Sequence, residues 1–202
     1  MSRSSAIGYQ PSRYAANPVT SAPHTVITPN PPLRPHIAFY WEDFAVGSVR
    51  EFGAMPVTRD AVLAFARQFD PQPFHLDDAA AEASLFGSLS ASGWHTCAMT
   101  MRMMCDEYLL QSSSLGSPGI DNLRWLKPVL PGDTLSVRLT VLEARPMASR
   151  PHVGLVRSQW EVLNQKRQTV LSMEGWGMFG RRENAPVETA GPVDKAPVVP
   201  QI

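Results

Sequence analysis

Little cysteine, no net charge and no long apolar run limit what this 202-residue chain can be. Cys97 and Cys105 lie eight residues apart on one predicted helix, too far apart for a disulfide, which favours a reduced, cytoplasmic protein. Eighteen Lys and Arg balance eighteen Asp and Glu, so the chain lacks the uncompensated basic charge that nucleic-acid binding requires. The uncharged run at residues 83–101 holds four Ser, two Gly, two Thr and a His, so no membrane-spanning helix is predicted there.

Proline, in contrast, is abundant and concentrated at both ends of the chain. Of 19 prolines, seven lie in residues 1–36 and four in residues 186–202. These segments show no apolar periodicity and would bury too little apolar surface to offset their ordering entropy. We therefore predict a disordered or partner-draping leader over 1–37, a folded unit over 38–183 and a tail over 184–202. Three arginines in the leader are a feature of transit peptides, but no amphipathic helix pattern accompanies them.

The hydrophobic pattern of the folded unit predicts one strand, three helices and then four strands. Residues 135–141 alternate between apolar and polar side chains, as in a strand with one buried face. Residues 94–105 are apolar or small on nearly every side, which predicts a helix buried on most faces. In chain order, the predicted elements are a strand over 49–57, helices over 59–69, 77–84 and 94–110, and strands over 120–126, 135–141, 156–162 and 170–179. This order indicates an α+β fold in which a curved, mainly antiparallel sheet wraps around one long buried helix.

The first predicted helix ends next to two groups suited to proton transfer. Thr58 is placed to cap this helix at its start. Asp70 precedes Pro71, and the helix ends there because a residue before proline is disfavoured in the α region. His75 follows across a short loop that contains a second proline, which limits the motion of one group relative to the other. The predicted apolar stripe of the helix consists of Val62, Phe65, Ala66 and Phe69.

Three segments resemble, in order and spacing, those of a known family. They are FDPQPFHLDDAAA (69–81), SASGWHT (90–96) and LRWLKPVLPGDTL (123–135). Together they resemble the MaoC-like dehydratases, the hot-dog-fold (R)-specific enoyl-CoA hydratases, over residues 40–181. The family loop reads Asp-x-Asn-Pro-x-His, so Gln72 stands here in place of Asn. Ser92 stands where the family often has His, and Met101 stands where a serine is often found in the helix.

The resemblance implies a hot-dog fold and interconversion of 2-enoyl-CoA and 3-hydroxyacyl-CoA with R specificity. It also implies a homodimer whose sheets join edge to edge, with the site near the interface. We expect no cofactor apart from the coenzyme A of the substrate, no metal, and neither nucleic acid nor membrane as a partner. No basic cluster marks a site for the phosphates of coenzyme A, for which Arg124 and Lys127 are the candidates.

Hydration of an enoyl thioester requires a held and deprotonated water, a proton for C2 and a group that stabilises the thioester oxygen. Asp70 and His75 are the catalytic candidates for the first two tasks, and the assignment of base and acid stays open. Gly93 starts the long helix, where free backbone N–H groups could stabilise the thioester oxygen, although it could also be a hinge alone. Ser92 is interpreted as a helix cap or a water ligand, and Gln72 as a supporting amide.

Other chemistries fit the sequence less well. A serine hydrolase lacks its GxSxG motif, and the Gly- and Ser-rich segment before the long helix lacks the lysine of a P-loop. Asp77 and Asp78 suit the first turn of a helix better than a metal site with His75. A hot-dog thioesterase and a catalytically silent acyl-binding subunit remain as alternatives. The methionines of the long helix suit either a plain core or a pliable acyl pocket; they are Met99, Met101, Met103 and Met104.

Overall fold

A computed structural model describes residues 37–182, so the predictions for the leader and the tail lie outside the described residues. Five strands form a single antiparallel sheet; they are β1 (Val49–Pro56), β2 (Ser114–Trp125), β3 (Thr134–Met147), β4 (Arg150–Leu163) and β5 (Thr169–Gly180). Their order across the sheet is β1-β3-β4-β5-β2. Because β1 and β2 are the two edges, the polypeptide crosses the whole sheet between β1 and β2.

Three helices accompany the sheet, and a side chain caps the start of each. They are α1 (Arg59–Phe69), α2 (Asp78–Glu82) and α3 (Gly93–Glu107). The capping atoms accept hydrogen bonds from backbone N–H groups and belong to Thr58, Asp77 and Ser92. The long helix α3 packs against β1 and β3, and its buried methionines join the alternating apolar side chains of the sheet in one core. This confirms the predicted α+β architecture.

The structure corrects one predicted buried face and opens part of another. In α1, Phe69, the last residue of the helix, is 63% exposed, and Leu63 is buried instead. In α3, one face is open, where Trp94 is 59% exposed and Met101 is 48% exposed, while the rest of the helix contributes buried side chains to the core. Hydrophobic periodicity shows that a face is apolar, but it does not show what covers that face.

The predicted strands have the correct order; the first matches β1, and the other four are too short. β2 begins at Ser114, six residues before its predicted start. Gly116, Pro118 and Gly119 have low strand propensity, so the residue pattern did not predict a strand over this segment. β3 and β4 run on as a hairpin that turns at residues 148–149. No helix within residues 37–182 is long and apolar enough to cross a membrane.

Candidate active site

The loop after α1 brings the carboxylate of Asp70 to the imidazole of His75. Asp70 is the last residue bonded to the helix, through its N–H to the carbonyl of Ala66 at 3.0 Å, and Pro71 prevents another turn. A 3₁₀ turn, Pro73–His75, then reverses the chain. As a result, Oδ2 of Asp70 and Nε2 of His75 are 3.6 Å apart, in the arrangement that the short loop predicted.

The electrostatics of the site keep Asp70 ionised. Burial raises the pKa of this carboxyl group, but hydrogen bonds from Ser92 and Gln72, together with the positive charge that His75 has when it is protonated, outweigh burial, so the pKa lies below its usual value. The Gln72 amide donates to Oδ1 of Asp70 at 2.7 Å. The extra methylene of Gln, compared with the family's Asn, therefore still allows the amide to reach the carboxylate.

The backbone of Ser90 fixes the orientation of His75. Nδ1 of His75 is 2.8 Å from the carbonyl oxygen of Ser90. Because a carbonyl oxygen can only accept, Nδ1 carries the hydrogen and donates it. In the neutral ring, Nε2 is then without a proton and faces Asp70. The rings of Phe74 and Phe86 pack beside the imidazole, with centroids 4.6 and 5.9 Å away.

Ser92 links the start of α3 to the carboxylate. Its hydroxyl oxygen accepts a hydrogen bond from the N–H of Trp94 at 3.2 Å, which confirms the predicted cap. The hydroxyl hydrogen is used as well, because Ser92 donates to Asp70. The Ser92 side chain thus pairs with a free backbone N–H at the start of α3 and helps to keep the pKa of Asp70 low.

Gly93 lies at the first position of α3, and its missing side chain makes room for an aromatic ring. A Cβ atom here would lie 2.5 Å from the indole of Trp125, which packs over the glycine. The glycine therefore serves close packing, whereas the sequence suggested room for a substrate carbonyl. Within residues 37–182 nothing accepts a hydrogen bond from the Gly93 N–H, so its assignment to the thioester oxygen stays a prediction.

These groups surround a cleft of about 400 Å³ between the loop, the start of α3 and the end of β2. Of the two candidates for a phosphate contact, Lys127 lines the cleft and Arg124 does not. The lining residues that the sequence did not predict include Ser90, Phe86 and Trp125. Ser90 and Trp125 stand inside the family-like segments, so a signal was present, whereas nothing in the sequence pointed to Phe86.

A second, smaller cleft of about 250 Å³ lies between the C-terminal half of α3 and the sheet. Its walls are mainly apolar, and the exposed Met101 and the buried Met104 contribute to them, whereas Met99 and Met103 are buried in the core and do not. Asp77 and Asp78 lie at the start of α2, as predicted, rather than around His75. The described part of the chain contains no group of three or more His, Cys, Asp or Glu side chains that could hold a metal ion.

Comparison with known proteins identifies the family and agrees with this fold. The family model of the MaoC-like domain matches residues 43–161. The chain belongs to the MaoC-like family. A MaoC-like dehydratase from Rhodospirillum rubrum is 42% identical, with a TM-score of 0.67 over 71% of this chain and 98% of the other. The sheet packed against α3 is the hot-dog fold, as predicted.

Two hydratases are among the similar proteins. The (R)-hydratase PhaJ1 from Pseudomonas aeruginosa has the same fold, at 24% identity and a TM-score of 0.58 over 78% of this chain and 96% of the other. The mesaconyl-CoA hydratase of Cereibacter sphaeroides is 39% identical over 79 residues, which cover 39% of this chain and 21% of that protein. The chain thus spans about a fifth of the length of this second relative.

Proposed function

We propose that this MaoC-like protein is a hydro-lyase that adds water to a 2-enoyl-CoA thioester and removes it from the (R)-3-hydroxyacyl-CoA product. The observation that carries the proposal is the pairing of the Asp70 carboxylate with Nε2 of His75, 3.6 Å apart at a cleft, where Nδ1 is held by the Ser90 carbonyl and Nε2 is the acceptor of the neutral ring. Two adjacent acceptors of this kind can hold one water molecule and take a proton from it. Coenzyme A enters only as part of the substrate, and no other cofactor is invoked.

The geometry divides the work between the two groups. Because the pKa of Asp70 is lowered, its carboxylate is a poor proton acceptor and is better suited to orienting the water. We assign proton removal to Nε2 of His75, whose other nitrogen is held by the Ser90 carbonyl. The water oxygen forms the bond to C3, its O–H bond breaks, and the imidazolium returns that proton to C2. The Gly93 N–H, at the start of α3, is proposed to stabilise the thioester oxygen.

The test replaces each member of the pair. Asp70→Asn and His75→Gln preserve size and remove proton-transfer capacity, so each is expected to lower hydration of crotonyl-CoA or a longer enoyl-CoA by at least about 10²-fold. The double variant should be little worse than either single one, because both groups act on one water. Asp60→Asn and His152→Gln are matched controls, since both side chains are exposed and outside the cleft.

Three results would contradict the proposal. If both single variants keep more than about a tenth of wild-type turnover, a loss below about 1.4 kcal/mol, the pair is not the catalyst. Release of free thiol without loss of the enoyl absorbance would identify a thioesterase. If the wild-type protein hydrates no enoyl thioester over a range of chain lengths, a silent acyl-binding subunit is the better assignment.

The proposal includes a cytoplasmic homodimer. A solitary sheet with an open edge invites pairing with a second copy. Strand β2 is exposed along nearly its whole length, and its exposed apolar side chains include Leu115, Ile120 and Trp125. Since Trp125 also lines the cleft, assembly through β2 would place the site near the interface.

A further inference from the structure

Phe86 is an aromatic residue whose position is not explained by packing in the core. It lies on the loop between α2 and α3, it is 42% exposed, and it lines the cleft. The apolar core of residues 37–182 does not include it. Its ring contacts are with Phe74 and His75, at centroid distances of 5.3 and 5.9 Å. A large apolar ring that is open to a cleft and packs against the proposed base is suited to contact a ligand.

The backbone of the loop fixes the position of this ring. The hydroxyl oxygen of Ser84 accepts a hydrogen bond from the Phe86 N–H at 3.1 Å, and the hydroxyl donates to the carbonyl of Ala81 at 2.7 Å. Gly87 has a φ of +69°, a conformation that favours glycine, and its N–H donates to the carbonyl of Ser84 at 3.3 Å. The neighbouring Leu85 is fully exposed and does not line the cleft. The turn therefore directs one apolar side chain to solvent and the next to the cleft.

Two separate aromatic pairs line the cleft. Trp94 and Trp125 pack edge to face at 5.4 Å, and Trp125 covers Gly93, whose N–H is assigned to the thioester oxygen. Phe74 and Phe86 pack beside the imidazole of the proposed base. Within residues 37–182 no ring contact joins one pair to the other. Because the thioester is assigned to the tryptophan pair and C3 must lie next to the base, the acyl chain beyond C3 extends along the phenylalanine pair.

We propose that Phe86 is a specificity-determining residue that limits the length of the acyl chain, so that the protein acts on short 2-enoyl-CoA thioesters. This inference rests on the proposed hydratase function and names its substrate class. A longer chain meets a ring that the Ser84 turn holds in place. One methylene that a pocket has to accommodate changes selectivity by about 10- to 200-fold, so a single ring is enough to set such a limit.

The kcat/KM for 2-octenoyl-CoA divided by that for crotonyl-CoA tests the proposal. The wild-type protein is expected to prefer crotonyl-CoA, and Phe86→Ala should raise the ratio at least about tenfold, because it removes the ring and leaves Asp70 and His75 in place. Phe86→Leu retains apolar packing and should shift the ratio in the same direction by a smaller factor. Thermal unfolding shows that each variant is folded.

Two control variants accompany this measurement. Leu85→Ala changes the exposed neighbour on the same turn, and Phe69→Ala removes an exposed phenylalanine outside the cleft. Both should leave the ratio unchanged, since neither side chain lines the cleft.

Binding of saturated acyl-CoA thioesters provides a readout that does not depend on turnover. Because these thioesters cannot be hydrated, calorimetric titration with butyryl-CoA and octanoyl-CoA measures Kd alone. Phe86→Ala is expected to lower the Kd of octanoyl-CoA relative to that of butyryl-CoA by at least about tenfold. If the wild-type protein hydrates no enoyl thioester but the variant shows this shift, the hydratase function is wrong and the chain-length limit is supported.

Four results overturn the proposal. A wild-type protein that uses the longer chain at least as well as the shorter one has no such limit. An unchanged ratio in Phe86→Ala, in turnover and in binding, shows that the ring does not restrict the chain. A loss of kcat/KM by the same factor for both substrates makes Phe86 a positioning residue for His75 instead. An equal shift of the ratio in Leu85→Ala assigns the effect to the loop and not to the ring.

Discussion

The two edges of the sheet differ in what they offer to another molecule. On β1, Glu51 forms ion pairs with Arg138 and Arg167, both at 2.8 Å, and these partners lower the pKa of Glu51 to about 2. On β2, the exposed side chains include Leu115, Ile120 and Trp125, and the pairing with β5 is interrupted by register shifts. One edge is therefore lined with charges that are already paired, and the other is largely apolar and open.

This difference connects assembly with chemistry. Charged side chains on an edge strand oppose pairing with a second sheet, whereas an exposed apolar edge favours it. The apolar edge is also the one that ends at the cleft, since Trp125 covers Gly93 at the start of α3. The β1 edge contributes nothing to the lining of that cleft. A change on β2 should therefore affect both assembly and the site, and a change on β1 should affect neither.

The largest expected effect comes from placing a charge on the apolar edge. Ile120→Lys introduces two buried, unpaired ammonium groups in a symmetric dimer, so we expect the dimer Kd to rise at least about 10²-fold, equivalent to about 2.7 kcal/mol. Light scattering and sedimentation at micromolar concentration measure the shift to monomer. Val49→Lys is the matched control, because Val49 is an exposed β-branched residue on β1.

Two outcomes would remove the distinction between the edges. A wild-type protein that is monomeric and fully active at micromolar concentration would show that no dimer is needed. If Val49→Lys dissociates the dimer and Ile120→Lys does not, the chain associates through the charged edge, and the apolar face of β2 needs another explanation.

The strands and the long helix could be predicted from the sequence only in part. The regular alternation of Leu135, Val137, Leu139 and Val141 identified β3, and all four side chains are buried. The bulged start of β2 has no such alternation, so its length and its exposed edge could not be predicted. The sequence also showed that α3 is apolar, but the open face at Trp94 and Met101 depends on which neighbours the fold provides.

The candidate site divides in the same way. The proximity of Asp70 and His75 follows from five residues of proline-stiffened loop, and it could be predicted. The direction of the pKa shift of Asp70 could not be predicted, because Ser92 reaches the carboxylate from a segment 22 residues later. The tautomer of His75 depends likewise on a carbonyl group that only tertiary packing brings near. Local spacing thus predicts that Asp70 and His75 are close, whereas long-range packing determines the pKa shift of Asp70 and the tautomer of His75.

A smaller effect is expected where the apolar edge meets the site. Gly93→Ala places a Cβ against the indole of Trp125, and such overpacking typically destabilises a fold by about 1–3 kcal/mol. Trp125→Ala removes the obstacle, so the free energies of unfolding should be non-additive and the double variant should lose little beyond Trp125→Ala alone. Urea unfolding of the four proteins measures this coupling.

Turnover of the same four proteins separates two roles of Gly93. If the glycine only makes room for Trp125, Gly93→Ala should not lower kcat further in the Trp125→Ala background. If hydration still falls when the clash has been removed, the glycine is also needed for close approach of the substrate to the backbone, as the assignment of its N–H to the thioester oxygen requires. Additive free energies of unfolding would contradict the packing explanation.

The smallest expected effect is a shift in pH dependence, and it contrasts one carboxylate of the site with one of the charged edge. Gln72→Leu removes a donor to Asp70, so the pKa of Asp70 rises toward its usual value. At a given acidic pH more Asp70 is then protonated and unable to accept a hydrogen bond from the water, so the acid limb of kcat/KM moves to higher pH.

Two control variants accompany this measurement. Gln68→Leu, on the exposed side of α1, is the control for the substitution itself. Glu51→Gln should leave the limb in place although the pKa of Glu51 is also low, because the β1 edge is not part of the cleft. A profile that follows Glu51 and ignores Gln72 would show that the acid limb reports the stability of the sheet edge and not the ionisation of Asp70.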